Sequence, residues 1–370
     1  MTRVVGIDPG TLSFDLCGLE KGRVFLDVTI ASREAAAQPQ ILVKALDEVR
    51  PLDLIIGPSG YGLPWVRIED FSERDLFLFV LADEREQGRV SPLGGMRALV
   101  AALKASGLPV IFMPGVIHLP TVPAYRKANK IDMGTADKLC CVALGVFDQA
   151  RRYNLAYHET SFIYVEVGGA FTAVMAVQAG QVVDGLGGSS GGMGFYALGA
   201  MDGELAYLLG EFHKKVLFSG GLASLAGRPT LSLEEAVALR KTNSTVRAAW
   251  EALFEGIAKS VAAEMTIAPS AREILLSGRL CRIPAIQDEL ARRLSCFGPV
   301  RRITGPANIA KEAAQGAALI ADGLLGGQFA ELVEVMRLRE AQGNVLDYVQ
   351  VNVAESLRER YLRRFTILGW

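Results

Sequence analysis

The apolar positions of this chain fall first into short β-rich runs separated by turn residues, and later into stretches at helical spacing. Arg3 to Ile7, Phe14 to Leu19 and Arg23 to Ile30 read as three strands. Asp8-Pro9-Gly10-Thr11 and Glu20-Lys21-Gly22 separate them, and Asp, Pro and Gly are the residues that reverse a chain. A helix at about 39–49, a buried strand at Leu52 to Ile56, a helix at about 94–105 and a strand at Pro109 to Met113 follow. Strands alternating with helices predict an α/β layer around a mixed sheet.

A second, similar series starts near Ser161. Phe162 to Val167 is a strand, Gly168-Gly169 a turn, Ala170 to Gln178 a strand, Ala179-Gly180 a turn and Gln181 to Asp184 a strand. The same strand–turn–strand–turn–strand order thus occurs twice, which predicts a duplicated fold. Helical patterns dominate afterwards, at 233–240, 246–266, 284–294 and 309–325, with short strands at 273–276 and 300–303. Residues 328–341 read as one amphipathic helix with Phe329, Leu332, Val333 and Met336 on a face, suited to packing on its own domain or to binding a partner.

Composition narrows the class. The chain has 370 residues, half apolar and 21% charged, which suits two globular domains with a large core. The net charge of -1 offers no general basic excess for nucleic acid or a membrane surface. No uncharged apolar run reaches the roughly 18 residues of a membrane span. The N-terminus leads directly into a strand, without the pattern of a secretory signal. The five cysteines form no CxxC pair and the three histidines no ligand spacing, so reduced thiols in a cytoplasmic protein are expected.

Four motifs carry candidate chemistry. In Gly6-Ile7-Asp8-Pro9-Gly10-Thr11, glycine lets backbone N–H groups approach a phosphate, Asp8 suits a hydrated Mg²⁺ ion, and Thr11 offers a hydroxyl donor. Glu166-Val167-Gly168-Gly169-Ala170-Phe171-Thr172 repeats that logic. Ile274 to Leu280 is an apolar strand ending in the tight turn Ser277-Gly278-Arg279, against which a flat purine could lie. Ala313 to Leu319 is a helix of small residues that permits close packing. A further segment, 125–139, is polar and mixed in charge. Arg126, Lys127 and Lys130 are its candidates for an anionic substrate and Asp132 its candidate base or metal partner. The charged stretch Asp70 to Arg89 reads as a solvated face or lid.

The ordered set of hairpin, central helix, hairpin, Ser-Gly turn and small-residue helix resembles the superfamily of acetate kinase, sugar kinases, heat-shock chaperones and actin. The resemblance covers most of residues 3–325. It implies two lobes of a duplicated ribonuclease-H-like fold, each a mixed five-stranded sheet flanked by helices, with an ATP site in the cleft between them. The implied lobes are 1–145 and 146–325, with a helical tail at 326–370 packing back on them. Within the superfamily, Val167-Gly168-Gly169-Ala170 to Val183-Asp184 and the glycine-rich loop 185–194, which includes Gly188, look most like butyrate kinase-like acyl kinases. Two departures stand out: Val165-Glu166 replaces a histidine, and Phe195-Tyr196-Ala197-Leu198 lacks the arginine that follows the loop in those kinases.

The resemblance implies an ATP- and Mg²⁺-dependent phosphotransferase acting on a small anionic metabolite. Asp8 would organise the metal; Gly10, Thr11, Gly168, Gly169 and Thr172 would hold phosphates; Ser277, Gly278 and Arg279 would border the adenosine. Asp132 or Glu166 would be the general base, and Arg126 with Lys130 would bind the acceptor. A nucleotide-dependent sensor or assembly protein of the same fold is the alternative, and an activator ATPase with an iron–sulfur cluster is a third reading. The oligomeric state stays open, although dimers are common in the acyl kinases it resembles.

Overall fold

A computed structural model describes residues 2–10, 12–57, 59–82 and 92–363. Thr11 and residues 83–89 of the charged stretch lie outside the described residues. Contacts group the chain into two compact units: Met1–Ile131 with Thr135–His158 and Thr304–Trp370, and Asp132–Gly134 with Glu159–Ile303. The strands are β1 Arg3–Pro9, β2 Ser13–Glu20, β3 Arg23–Ala31, β4 Leu54–Ile56, β5 Val66–Arg67, β6 Val110–Phe112, β7 Phe162–Val167, β8 Thr172–Gln178, β9 Gln181–Leu186, β10 Ile274–Ser277 and β11 Val300–Arg302.

The sheet of the first unit runs β3-β2-β1-β4-β6-β5 and that of the second β9-β8-β7-β10-β11. In both, the first three strands pair antiparallel and the next two join in parallel. The duplication extends to detail. The β2–β3 turn places Lys21 and Gly22 at φ 52° and 70°, and the β8–β9 turn places Ala179 and Gly180 at 52° and 74°. Two positive φ angles in a two-residue loop match the right-handed twist of the flanking strands. The first sheet has six strands rather than the expected five. The extra one, β5, is two residues long and antiparallel to β6, too short to show any alternation in sequence.

In the first unit the helix Glu312–Leu324 is buried from Glu312 to Gly323. Its small residues let backbones approach: a Cβ at Gly6 of β1 would fall 2.3 Å from the Ala314 carbonyl oxygen, and one at Gly316 1.8 Å from that of Cys140 in the helix Ala136–Tyr153. Such packing draws the helices Ala136–Tyr153 and Glu312–Leu324 and all that follows into the first unit, so the units are not contiguous in sequence as the boundaries near 145 and 325 assume. The expected helix 328–341 is broken. Ala330–Val335 is helical, Arg337 turns to φ 53°, and Arg339 then donates to the carbonyls of Gly323 (3.2 Å) and Leu324 (2.8 Å). That turn satisfies carbonyls that the end of the long helix leaves open. Phe329, Leu332, Val333 and Met336 are all buried, so the apolar face is spent within its own unit.

The core of the second unit is built on the helix Ser244–Ile267. Asn243 caps it by accepting from the Val246 amide (3.0 Å), and Trp250 and Phe254 stack at 5.4 Å against the sheet. Among the described residues no helix is long and apolar enough to cross a membrane.

Candidate functional site

Asp8 and Asp15 are partners in the β1–β2 register, so their side chains leave the same face of the sheet. Both are buried. Lys311, just before the helix Glu312–Leu324, places its ammonium 2.7 Å from Asp15 Oδ2 and donates to the Ser13 hydroxyl, which itself donates to Asp15 Oδ2 at 2.8 Å. Gly10 makes this reach feasible: a Cβ there would lie 3.0 Å from Lys311 Nζ and 2.8 Å from the Ser13 carbonyl oxygen. The first turn of the helix Ala136–Tyr153 adds Asp137, with Lys138 Nζ 2.7 Å from its Oδ2 and the Thr135 hydroxyl on its Oδ1.

These neighbours push the two carboxyls apart. Burial is the main influence on Asp8; Asp137 and Asp15 add to it while Lys311 and Lys138 oppose it, and the group is pushed up from 3.8 to about 8. Burial also raises Asp137, but the charge and hydrogen bond of Lys138 and the hydroxyl of Thr135 outweigh it and hold that carboxyl below its usual range. At neutral pH one member is protonated and the other ionised, a pairing typical of sites where acid and base roles are divided.

No hydrogen bond from a described residue reaches the Asp8 carboxyl. Among the described residues no group of three or more His, Cys, Asp or Glu is arranged to hold a metal alone. Magnesium does not need one: it keeps several waters and binds through one or two carboxylates and the phosphates of a substrate. A buried carboxyl to which no described residue donates, near a second carboxylate, fits that ion.

In the second unit, the Gly168 amide closes the β7–β8 hairpin on the Phe171 carbonyl (2.9 Å). The amides of Gly169 and Ala170 meet no acceptor among the described residues, and a Cβ at Gly169 would touch nothing within 4 Å. The hairpin tip therefore offers free N–H donors of the kind that cradle phosphate. Thr172 differs from the expectation. It is buried, and its hydroxyl proton goes to the Gly192 carbonyl at 2.8 Å, so it fastens the glycine-rich loop.

Asp132 serves the same loop. Its carboxylate accepts from the amides of Gly134 (3.1 Å) and Ser189 (3.0 Å) and the hydroxyl of Ser189 (3.3 Å), while its carbonyl accepts from the Ser190 hydroxyl. Gly188 lies on the Phe171 ring, 2.7 Å from where its Cβ would be. Gly278, at φ 92°, meets the ends of β7: its Cβ would fall 2.5 Å from the Val167 carbonyl oxygen and 3.0 Å from Glu166 Cγ. The Ser277 hydroxyl is buried against that of Tyr164 at 2.7 Å, which leaves backbone rather than side chain for any ligand at this turn. Arg279 lies at the surface, 3.4 Å from Glu234.

Of the basic segment, Arg126 and Lys130 are partly exposed, with the Arg126 guanidinium 5.5 Å from the Tyr125 ring. Lys127 points inward and donates to the Leu119 carbonyl (2.7 Å) and the Tyr348 hydroxyl (3.2 Å). Burial brings its amine down to about 8. It anchors the C-terminal segment and is not placed to meet a substrate. Sequence reasoning missed Asp15, Asp137, Lys138 and Lys311 as members of the Asp8 cluster. Asp15 could have been found from hairpin pairing alone, whereas Lys311 has no local signal.

The fold matches solved kinases. A propionate kinase from Francisella tularensis subsp. tularensis SCHU S4 superposes with a TM-score of 0.57 at 14% identity, over 85% of this chain and 99% of that one. The acetate kinase of Porphyromonas gingivalis gives 0.58 at 14% identity, over 86% and 98%, and that of Entamoeba histolytica 0.55 at 10%, over 80% and 87%. At these identities the likeness concerns the fold alone. No curated protein sequence matches the chain significantly. A family model does match residues 6–351, nearly the whole chain, and the protein therefore belongs to the family described as "Protein of unknown function (DUF1464)".

Proposed function

We propose that this protein is an ATP- and Mg²⁺-dependent phosphotransferase acting on a small anionic metabolite, with a short carboxylate as the leading acceptor class and a butyrate kinase-like acyl kinase as the nearest functional type. The carboxylate–lysine cluster around Asp8 carries the reading. Phosphoryl transfer asks little covalent chemistry of a protein and depends on positioning and charge stabilisation. A buried carboxyl that needs a cation and a carboxylate held ionised supply both.

Mg²⁺, when bound, would supply positive charge against the phosphates. Asp8 would hold the ion through its water shell, as an ionised carboxylate. Asp137, held ionised beside Lys138, would add negative charge to the metal's surroundings; a carboxylate acceptor is itself ionised and has no proton to lose. Lys311, fixed by Asp15 and Ser13, contributes positive charge. The amides of Gly169 and Ala170 hold phosphate oxygens, and the Gly278 turn borders the adenosine. Asp132 keeps the glycine-rich loop in place. Glu166, beside Gly278, and the pair Arg126 and Lys130 are the remaining candidates for base and acceptor binding. The setting is cytoplasmic.

The test is calorimetric titration of the full chain with ATP, with and without Mg²⁺, followed by a panel of short carboxylates. Mg²⁺-dependent binding with transfer to one of them supports the reading. Binding without transfer to any acceptor points to the nucleotide sensor, and folded protein that binds no ATP removes both.

A further inference from the structure

The strand registers place Cys17 beside Gly6 and Asp27, and Asp15 beside Asp8 and Thr29. Partners in register share a face, and residues two apart along a strand keep it, so Asp27 stands on the face of the sheet that carries Asp8 and Asp15. Its carboxylate accepts three consecutive backbone amides from the segment that leads into Lys311. Asn308 donates to Oδ2 (2.8 Å), Ile309 to both oxygens (3.1 and 3.0 Å) and Ala310 to Oδ1 (2.6 Å). Burial works against the ionised form, yet the amides of Ala310, Asn308 and Ile309 outweigh it and hold the carboxyl below its usual range. Successive amides that converge on one point are the means by which a backbone grips an anion.

The segment's other fastening is local. Gln315, in the first turn of the buried helix, accepts from the Ala307 amide (3.0 Å) and donates to the Ala310 carbonyl (2.7 Å), so it shapes the loop against its own helix. Among the described residues, the hydrogen bonds of 305–310 that reach strands β1 to β3 are those to Asp27. A lysine needs such a fastening. Its charge sits on a flexible four-carbon stem, and Asp15 and Ser13 hold only the ammonium end. Asp27 holds the backbone end from the same sheet. We propose that Asp27 is a positioning residue of the Asp8 site: it fixes the segment before Lys311 so that the lysine ammonium meets Asp15 and Ser13 beside Asp8. What the ammonium does there rests on the phosphotransferase reading; how it is held does not.

Two measurements on the full chain test this. In the first, dilute acetic anhydride acylates amines, and peptide mass spectrometry reads Lys311 against Lys44, whose side chain is 78% exposed. Asp27→Asn keeps the size of the side chain but turns an amide donor against the backbone N–H groups. It should raise acylation of Lys311 relative to Lys44 by about 5-fold or more, because an amine moved from its carboxylate loses what keeps it protonated. The second measurement is turnover of ATP. In Asp27→Asn kcat/KM should fall about 10-fold, but by less than about 2-fold when the same change is made in Lys311→Met, since a group that acts through Lys311 then has nothing to place. Asp27→Glu, which keeps the charge on a longer arm, should recover part of both effects. Unchanged acylation of Lys311 in Asp27→Asn overturns the proposal whether or not the protein turns over ATP. An equal loss of kcat/KM in the two backgrounds also overturns it, and would leave Asp27 a structural clamp. A wild type that turns over no ATP removes the phosphotransferase reading, and the acylation result alone then decides whether Asp27 places Lys311.

Discussion

Lys311 and Asp15 form an ion pair at 2.7 Å across 296 residues of sequence, and the pair lies beside Asp8. It joins the first hairpin to the start of the buried helix Glu312–Leu324. The lysine side chain is about a third exposed and the aspartate almost fully buried, so the aspartate suffers when the pair is broken. Lys311→Met should cost about 2 kcal/mol, less than a fully buried pair because of solvent screening. Asp15→Asn in the same chain should recover part of the loss, because the uncompensated buried charge is gone. Urea unfolding of the two single variants and the double variant checks the coupling.

His118 predicts a dependence on acid. Burial, helped by Lys127 and opposed by the Gly115 hydrogen bond and by Asp347, brings it down from 6.5 to about 4. Its Nδ1 lies 3.1 Å from the Gly115 amide nitrogen and 3.3 Å from the Gly115 carbonyl oxygen: the neutral nitrogen accepts from the first, and once protonated it donates to the second, which is the bond that opposes the lowering. The unfolded chain takes up the proton near 6.5 and the folded chain only near 4. Stability contributed by this group is therefore complete above about 6.5 and lost as pH falls toward 4, by about 3 kcal/mol in total. His118→Gln should flatten the stability profile in that window, as chemical unfolding at a series of pH values would show.

Asp132 separates a structural role from a chemical one. If its work is to hold Ser189 and Gly134, Asp132→Asn keeps one acceptor oxygen and part of the turnover, while Asp132→Ala loosens the loop and costs about 2 kcal/mol of stability. Equal loss of turnover in both variants, with unchanged melting temperatures, would instead assign Asp132 the role of general base.

Two glycines of the motifs should behave in opposite ways. Gly6→Ala inserts a methyl group 2.3 Å from the Ala314 carbonyl oxygen and 2.4 Å from the Ala318 amide, and should cost about 3 kcal/mol or more. Gly169→Ala meets nothing and should leave stability within about 0.5 kcal/mol, while raising the KM for ATP through crowding of the hairpin tip. Thermal unfolding and steady-state kinetics of the two variants check the contrast.

These residues show what the sequence makes readable. The strand Phe162–Val167 and the helix Pro284–Leu294 are continuous patterns bounded by turn residues or an N-terminal proline, and both appear where periodicity puts them. The duplicated order is readable because each copy carries its own Xaa-Gly turn. Other features depend on partners far away in sequence. Thr172 and Ser277 look like ligand hydroxyls, but Gly192 and Tyr164 claim them, and only tertiary packing sets those directions. The break at Arg337 depends on the carbonyls that Arg339 caps, and Lys311 becomes part of the Asp8 cluster only once its helix packs on β1.

Transfer of phosphate from ATP to short carboxylates, with the acyl phosphate trapped by hydroxylamine, tests the central claim most directly when the wild type is compared with Asp8→Asn. The wild type should give Mg²⁺-dependent product. The variant should be slower by at least about 100-fold, because a charge-stabilising group has been removed from the transferring centre. The variant should be as stable as the wild type, since the asparagine removes a buried carboxyl that is costly to ionise. Equal rates in the two proteins would contradict the role given to Asp8 and with it the reading of the cluster.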